Sequence, residues 1–231
     1  MAGHILLAGG DEFGGRMAEV DMAAIAAAGG RDAPIRIIPT AAAADQNHER
    51  AGATAERWFR SLGARDVAIV PVIDARTAAD PQLAARIASA RLIYMLGGFP
   101  AYLGETLAGS AAWEGARAAY DAGAVLAGSS AGAMVLCEWY YDPPRDRVLP
   151  GLGMVPGVCV LPHHDTYGAA WAPRLAARLP DATLLGIDER TGAIGAGMAR
   201  ERTWAVYGQG MLTSYTGGAI SAHAAGEQFR L

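Results

Sequence analysis

A serine, a pair of histidines and a carboxylate stand in this chain where they could work together as an acyl-transfer centre. The serine lies in Ala124 to Met134, AVLAGSSAGAM. A short apolar run, Ala124 to Ala127, enters the small-residue turn Gly128-Ser129-Ser130-Ala131-Gly132, and a helix-competent segment, Ala133 to Glu138, leaves it. That is the layout of a nucleophile elbow, a strand-to-helix turn so tight that only small residues fit beside the nucleophile. Amides at the helix start then point back at the place where an oxyanion would form. Gly128, Ser130 and Gly132 match the G-x-S-x-G spacing, which puts Ser130 at the apex and Ser129 beside it. A plain Gly/Ser-rich turn has the same spacing, so the downstream residues decide.

A serine hydroxyl becomes a useful nucleophile only when a base takes its proton, and the usual base is a histidine held by a carboxylate. Of the five histidines, His4 falls in a strand, His48 near a helix start and His223 near the carboxyl terminus. His163 and His164 alone follow a strand end downstream of the elbow. Glu189, in the turn Gly-Ile-Asp-Glu at the next strand end, is the first choice of orienting acid. Its neighbour Asp188 would point the other way along an extended segment, and Asp142 and Asp146 are the fallback. For the oxyanion, the N–H of Ala131 would be one donor. Gly97-Gly98 offers a second, because glycine lets a backbone amide approach a substrate closely. Gly9-Gly10 shows that the chain also uses such doublets as ordinary turns.

The elements that must position these groups alternate strand and helix. Strands are expected at Ile5–Ala8, Ile35–Ile38, Val67–Val72, Leu92–Leu96, Val158–Leu161 and Thr183–Ile187, besides the elbow strand. Helices are expected near 16–28, 46–62, 81–88, 100–107, 111–122 and 171–179, with Asp80-Pro81 as a cap followed by proline at the first helical position. Strands rich in Ile, Val and Leu without strict alternation suit a parallel sheet covered on both faces. Trp139 to Pro156 reads as an excursion beside the site. The last forty residues hold short β-like pieces separated by glycines. In an open parallel sheet functional groups collect beyond the carboxyl ends of strands, where Gly97-Gly98, Ser130, His163 and Glu189 all fall.

Composition narrows the class. With 231 residues, 52% hydrophobic and 18% charged, one α/β domain spanning 1–231 is expected. A net charge of −4 without a basic block argues against nucleic acid or an anionic membrane as partner. All 19 basic residues are Arg, which excludes a P-loop lysine, a Schiff-base lysine and a Ser-Lys dyad. Cys137 and Cys159 form no C-x-x-C, so neither a disulfide framework nor a zinc ribbon is expected. The amino terminus lacks the pattern of a signal peptide, and a cytoplasmic protein is the default.

LGGFPAYL, GSSAGA, VLPHHD and LLGIDERTG stand in the order found in the dipeptidase E and cyanophycinase family of serine peptidases, which this chain resembles from LLAGG to about Ile194. The resemblance implies a three-layer α/β sandwich with a mostly parallel central sheet, similar to class I glutamine amidotransferases, with serine where those enzymes carry cysteine. It implies Ser130 as nucleophile, His163 as base and Glu189 as third member. The chain departs from cyanophycinases at Leu161-Pro162-His163, where they carry an acidic-Gln-His segment. It departs from dipeptidase E at Gly97-Gly98-Phe99-Pro100, where an Asn-containing turn is usual.

The expectation is therefore a cofactor-free serine hydrolase that cleaves small peptides or isopeptides next to aspartate, through an acyl-enzyme. Gly98 and Ala131 would hold the oxyanion, and Gly97 and His164 would border the substrate. Arg174, or Arg178 beside it, would meet an aspartyl carboxylate, since no lysine is present; Thr166, Tyr167 and Thr191 offer hydroxyls. No metal is expected, and a homodimer is left open. The rivals are an amidotransferase-like hydrolase of another acyl substrate and a catalytically silent binding protein on the same fold.

Overall fold

The apolar runs of the first half pair side by side, as residues buried on both faces of a sheet must. In the computed structural model, which describes residues 3–196 and 202–231, β1 (His4–Ala8), β2 (Ile35–Ile38), β3 (Val67–Ile69), β4 (Leu92–Met95) and β5 (Val125–Ser129) run parallel in the order β1-β5-β4-β2-β3. Alternate residues of β1 enter different cores. Leu6 and Ala8 pack with Met17, Val20 and Phe59, whereas Ile5 and Leu7 pack with Leu103, Ala116 and Val135. The first face is covered by α1 (Met17–Ala27) and α2 (His48–Ser61). The second faces α5 (Pro100–Leu107), α6 (Ala111–Asp121) and α7 (Ala131–Leu136). Between these come the short α3 (Ala75–Ala78) and α4 (Pro81–Ala88).

Local chemistry sets the ends. Asp80 accepts from Gln82 N at 2.8 Å with Pro81 opening α4, and Ser110 accepts from Trp113 N at 3.1 Å at the start of α6. β3 stops at Ile69, short of the expected Val72: Val70 N still donates to Ile37 O at 2.9 Å, but Val72 N turns back onto Val70 O at 2.7 Å around Pro71. Asp74 then caps α3 through a reciprocal bond with Thr77, a helix the apolar spacing did not announce.

The parallel order does not extend to the whole molecule. Beyond β1 the main sheet continues antiparallel through β10 (Thr191–Ala196), β11 (Thr203–Gly208) and β14 (Gln228–Arg230), giving eight strands of mixed direction. The other strands form a second, six-stranded sheet. There β6 (Cys137–Asp142), β8 (Val155–Leu161) and β9 (Thr183–Ile187) are parallel, flanked by β7 (Arg147–Pro150) on one side and by β12 (Met211–Thr216) and β13 (Ala219–Ala224) on the other. The expected parallel arrangement is thus kept in five of the eight strands of the main sheet, and both sheets are mixed. The excursion at 139–156 is largely the β6–β7 hairpin, whose Tyr140 and Tyr141 are buried in the core. The apolar strands after the elbow do end near the site, but from this second sheet. α8 (Ala172–Arg178) closes the segment between β8 and β9.

Candidate active site

The elbow is built at the junction of β5 and α7. Ser130 follows β5 directly and adopts φ 48°, ψ −111°, a left-handed conformation that costs a non-glycine residue about 1–3 kcal/mol and persists only where surroundings impose it. Packing imposes it here. A Cβ on Gly128 would lie 2.3 Å from the Gly132 carbonyl carbon, and one on Gly132 would lie 2.4 Å from the Met95 oxygen. Small residues at both places let α7 turn back over the strand.

His163 and Glu189 follow strands of the second sheet, β8 and β9. His163, two residues past β8, also has positive φ (48°), as does Arg190 (52°), next to Glu189. His163 Nε2 lies 3.2 Å from Ser130 Oγ, and Nδ1 lies 2.8 Å from Glu189 Oε1. With Nδ1 protonated the ring donates to the carboxylate, leaving Nε2 to accept from the serine. Thr166 Oγ1 donates to the same Glu189 oxygen at 3.3 Å, and Asp165 accepts from Glu189 N at 2.9 Å. Tyr167 stacks on the imidazole at 5.0 Å between centroids.

The three positions are held together by the carbonyls at the end of β1 and just after it. Ala8 O accepts from Ser130 N at 2.9 Å, Gly9 O from His163 N at 2.7 Å and Gly10 O from Arg190 N at 2.9 Å. Consecutive residues thus tether the elbow, the histidine and the acid turn. Gly10 (φ 111°) has to be glycine for a second reason: a Cβ there would fall 2.3 Å from His163 Cε1 and Nε2. The sequence reading took Gly9-Gly10 for an ordinary turn. The signal available was the strand-end rule, which applies to β1 as well.

His164 and Asp188 lie on the opposite side of the same two segments. His164 Nδ1 is 3.3 Å from Asp188 Oδ1 and Nε2 is 2.8 Å from Tyr215 Oη, while Asp188 Oδ2 accepts from Met211 N at 2.8 Å. Adjacent residues of extended chain face opposite ways, so 163 with 189 and 164 with 188 form separate pairs. His164 is therefore not brought to Ser130. Nor is Arg174. Asp146 takes both arginines, Arg174 Nη1 at 3.2 Å and Arg178 Nη2 at 2.8 Å, and Arg174 also bonds the Tyr141 hydroxyl. The Arg178 bond and that of Tyr141 hold the Asp146 carboxyl below its ordinary value. Asp142 pairs with Arg145 and Arg147, so neither fallback acid reaches His163.

Gly97 and Gly98 follow β4 and close the other side of the elbow. A Cβ on Gly97 would lie 3.3 Å from Ser130 Cβ, which puts its backbone against the serine. Among the described residues neither Gly98 N nor Ala131 N has a hydrogen-bond acceptor. Gly97 N is engaged: it donates to Glu12 Oε1 at 3.3 Å, and Ser129 Oγ donates to Glu12 Oε2 at 3.0 Å. Glu12 is the acidic neighbour that the sequence reading missed.

A cleft of about 530 Å³ opens beside this turn, lined among others by Asp11, Glu12, Asp45, Arg50, Gly97 and Gly98. Asp11 is paired with Arg190 at 2.6 Å, whereas Arg50 has no ion-pair partner among the described residues. Neither this cleft nor a larger one of about 1010 Å³, between Trp139, Pro156, Leu179 and Trp204, is lined by Ser130, His163 or Glu189; the smaller one adjoins them through Gly97, which packs on Ser130. Among the described residues no cluster of His, Cys, Asp and Glu is suited to a metal ion, and no helix is long and apolar enough to cross a membrane.

A strained elbow serine, an imidazole within reach and a carboxylate on the far ring nitrogen make up a Ser-His-acid arrangement of the kind suited to acyl transfer. The chain belongs to peptidase family S51, whose profile matches residues 5–193. It is 30% identical over 200 residues to a cyanophycinase of Synechococcus elongatus, covering 80% of this chain and 59% of that relative, so it spans about three-fifths of the relative's length. A crystal structure of a peptidase from an acI-B1 Actinobacterium superposes with a TM-score of 0.86 at 30% identity, covering 100% of this chain and 98% of the other. A protein of Listeria monocytogenes EGD-e, described as a candidate peptidase E, shares the fold: TM-score 0.65, 14% identity, coverage 91% and 100%.

Proposed function

We propose that the protein is a serine peptidase hydrolysing small peptides or isopeptides through an acyl-enzyme. The observation that carries this reading is the unbroken hydrogen-bond line Ser130–His163–Glu189 ending on a strained elbow. Ser130 Oγ attacks the carbonyl as His163 Nε2 takes its proton, and the imidazolium is stabilised by Glu189. The same nitrogen returns the proton to the leaving amine, then draws one from the water that releases the acyl group. The free amides of Gly98 and Ala131 receive the oxyanion. The five parallel strands with helices on both faces serve as the amidotransferase-like core of this reading.

For an aspartyl substrate the carboxylate goes to Arg50, which borders the cleft with no ion-pair partner among the described residues, rather than to Arg174, which shares Asp146 with Arg178 and bonds the Tyr141 hydroxyl. The test is labelling by a fluorophosphonate probe. The wild type should be labelled and Ser130→Ala should not, whereas Ser129→Ala should retain labelling because its hydroxyl is bonded to Glu12 rather than to His163. An unlabelled wild type sinks the hydrolase reading and leaves a silent binding protein. Loss of labelling in Ser129→Ala alone shifts the nucleophile by one residue.

A further inference from the structure

The carboxylate of Glu12 is an odd neighbour for an oxyanion hole. It sits on the amide of Gly97, beside Ser130, and takes the hydroxyl of Ser129 on its other oxygen. Arg190 satisfies Asp11 next door, but no arginine contacts Glu12 among the described residues. Left uncompensated, this charge opposes the negative charge that develops on the carbonyl oxygen during attack. A carboxylate oxygen accepts more than one hydrogen bond, so each Glu12 oxygen keeps a free lone pair beside the cleft.

We propose that Glu12 is the specificity-determining residue of this site, and that it receives the α-ammonium of a substrate's amino-terminal residue. The inference rests on Ser130 being the nucleophile. An α-ammonium is two bonds from the carbonyl carbon under attack, which suits a carboxylate held against the nucleophile's own turn. Its arrival does two things at once. It anchors the acyl residue through a charge-assisted hydrogen bond, and it cancels the charge that disfavours the oxyanion. A blocked amino terminus loses both effects, so discrimination appears in kcat as well as in KM. No bond to Glu12 is made or broken; its role is to bind and to set the field. The rest of the cleft agrees in sign, since Asp45 adds a second carboxylate and Arg50 stands apart to meet an acidic side chain.

The experiment compares aspartyl and leucyl 4-nitroanilides with free and N-acetylated amino termini. Wild type should cleave the free forms with kcat/KM higher by about ten- to a hundredfold, the range of one charge-assisted hydrogen bond. Glu12→Gln should lose that advantage, slowing on free substrates while its rate on N-acetyl substrates rises. Equal rates of wild type on free and blocked substrates, or a parallel fall on both in Glu12→Gln, overturn the proposal. A binding arm separates this from failure of the hydrolase reading. In a Ser130→Ala background, calorimetry should show Asp-Leu binding at least tenfold tighter than N-acetyl-Asp-Leu, and Glu12→Gln should abolish the difference. If that difference is absent, the ammonium site fails whatever the fluorophosphonate result.

Discussion

Gly10→Ala tests the positioning of His163 without replacing Ser130, His163 or Glu189. The added methyl would sit 2.3 Å from the Cε1 and Nε2 atoms of the ring, against an ordinary contact of at least 3.4 Å. The ring must therefore retreat by about 1 Å, or the loop must swing. Its bonds leave little slack, at 3.2 Å to Ser130 and 2.8 Å to Glu189. A displacement of that size near reacting atoms costs roughly 10²-fold in rate. The positive φ of 111° adds a stability loss of about 1–3 kcal/mol, which in a chain of this size lowers Tm by roughly 2–12 °C. The assay is the second-order rate of fluorophosphonate labelling with circular dichroism as a fold check. Gly14→Ala is the control, because nothing lies within 4 Å of a Cβ there in the same loop. A folded Gly10→Ala protein that labels at the wild-type rate would falsify the claim that this glycine sets the imidazole.

Two further outcomes concern buried groups. Burial pushes the Asp21 carboxyl up to about 7 from 3.8, with the nearby Glu12 charge adding to the rise and the Trp58 Nε1–H bond at 2.7 Å opposing it. The folded state thus holds this proton more tightly than the unfolded chain. Stability falls as pH rises from about 4 to about 7 and is level above, by at most roughly 4 kcal/mol. Asp21→Asn, which keeps an acceptor for Trp58, should flatten the Tm–pH profile over that range and raise Tm at pH 8; an unchanged profile refutes it. Burial also raises the Cys159 thiol to about 12 and the Cys137 thiol well above its ordinary value. Iodoacetamide at neutral pH should therefore leave fluorophosphonate labelling intact, and thiol-dependent inactivation would contradict the burial.

The elements legible in the sequence were those whose residues carry their own signal. Pro81 behind Asp80 and the apolar runs of β1, β2, β4 and β5 specify local geometry without reference to partners. Which strands share a sheet was not legible. Val158–Leu161 and Thr183–Ile187 read like further strands of a parallel sheet, and locally they are, since β8 and β9 are parallel to each other. What diverts them is that β10, right after Glu189, pairs antiparallel with β1 at Leu6↔Ile194 and fills the edge where another parallel strand would have added. That pairing is a long-range competition among similar apolar segments, and hydrophobic periodicity carries no term for it.

The same divide runs through the site. Ser130, His163 and Glu189 each follow a strand end, and a strand end can be found from local pattern alone. Arg174 was chosen for closeness in sequence to His163, but charge is assigned by neighbours in space. Asp146 reaches Arg174 and Arg178 only because the β6–β7 hairpin folds back beside α8, a hairpin the proline pair made look like loop. Glu12 was missed for the converse reason: its loop follows β1, far in sequence from the elbow, and meets Ser129 only because β1 and β5 pair in register at Ala8↔Ser129. That one ladder contact sets the carbonyl of Ala8 on Ser130 N and leaves the next residues to carry Gly10 under the imidazole and Glu12 over Gly97. A shift of register in β1 would therefore disturb Ser130, His163 and Glu12 together, which makes the β1 end the mechanical centre of the site although it holds none of Ser130, His163 and Glu189.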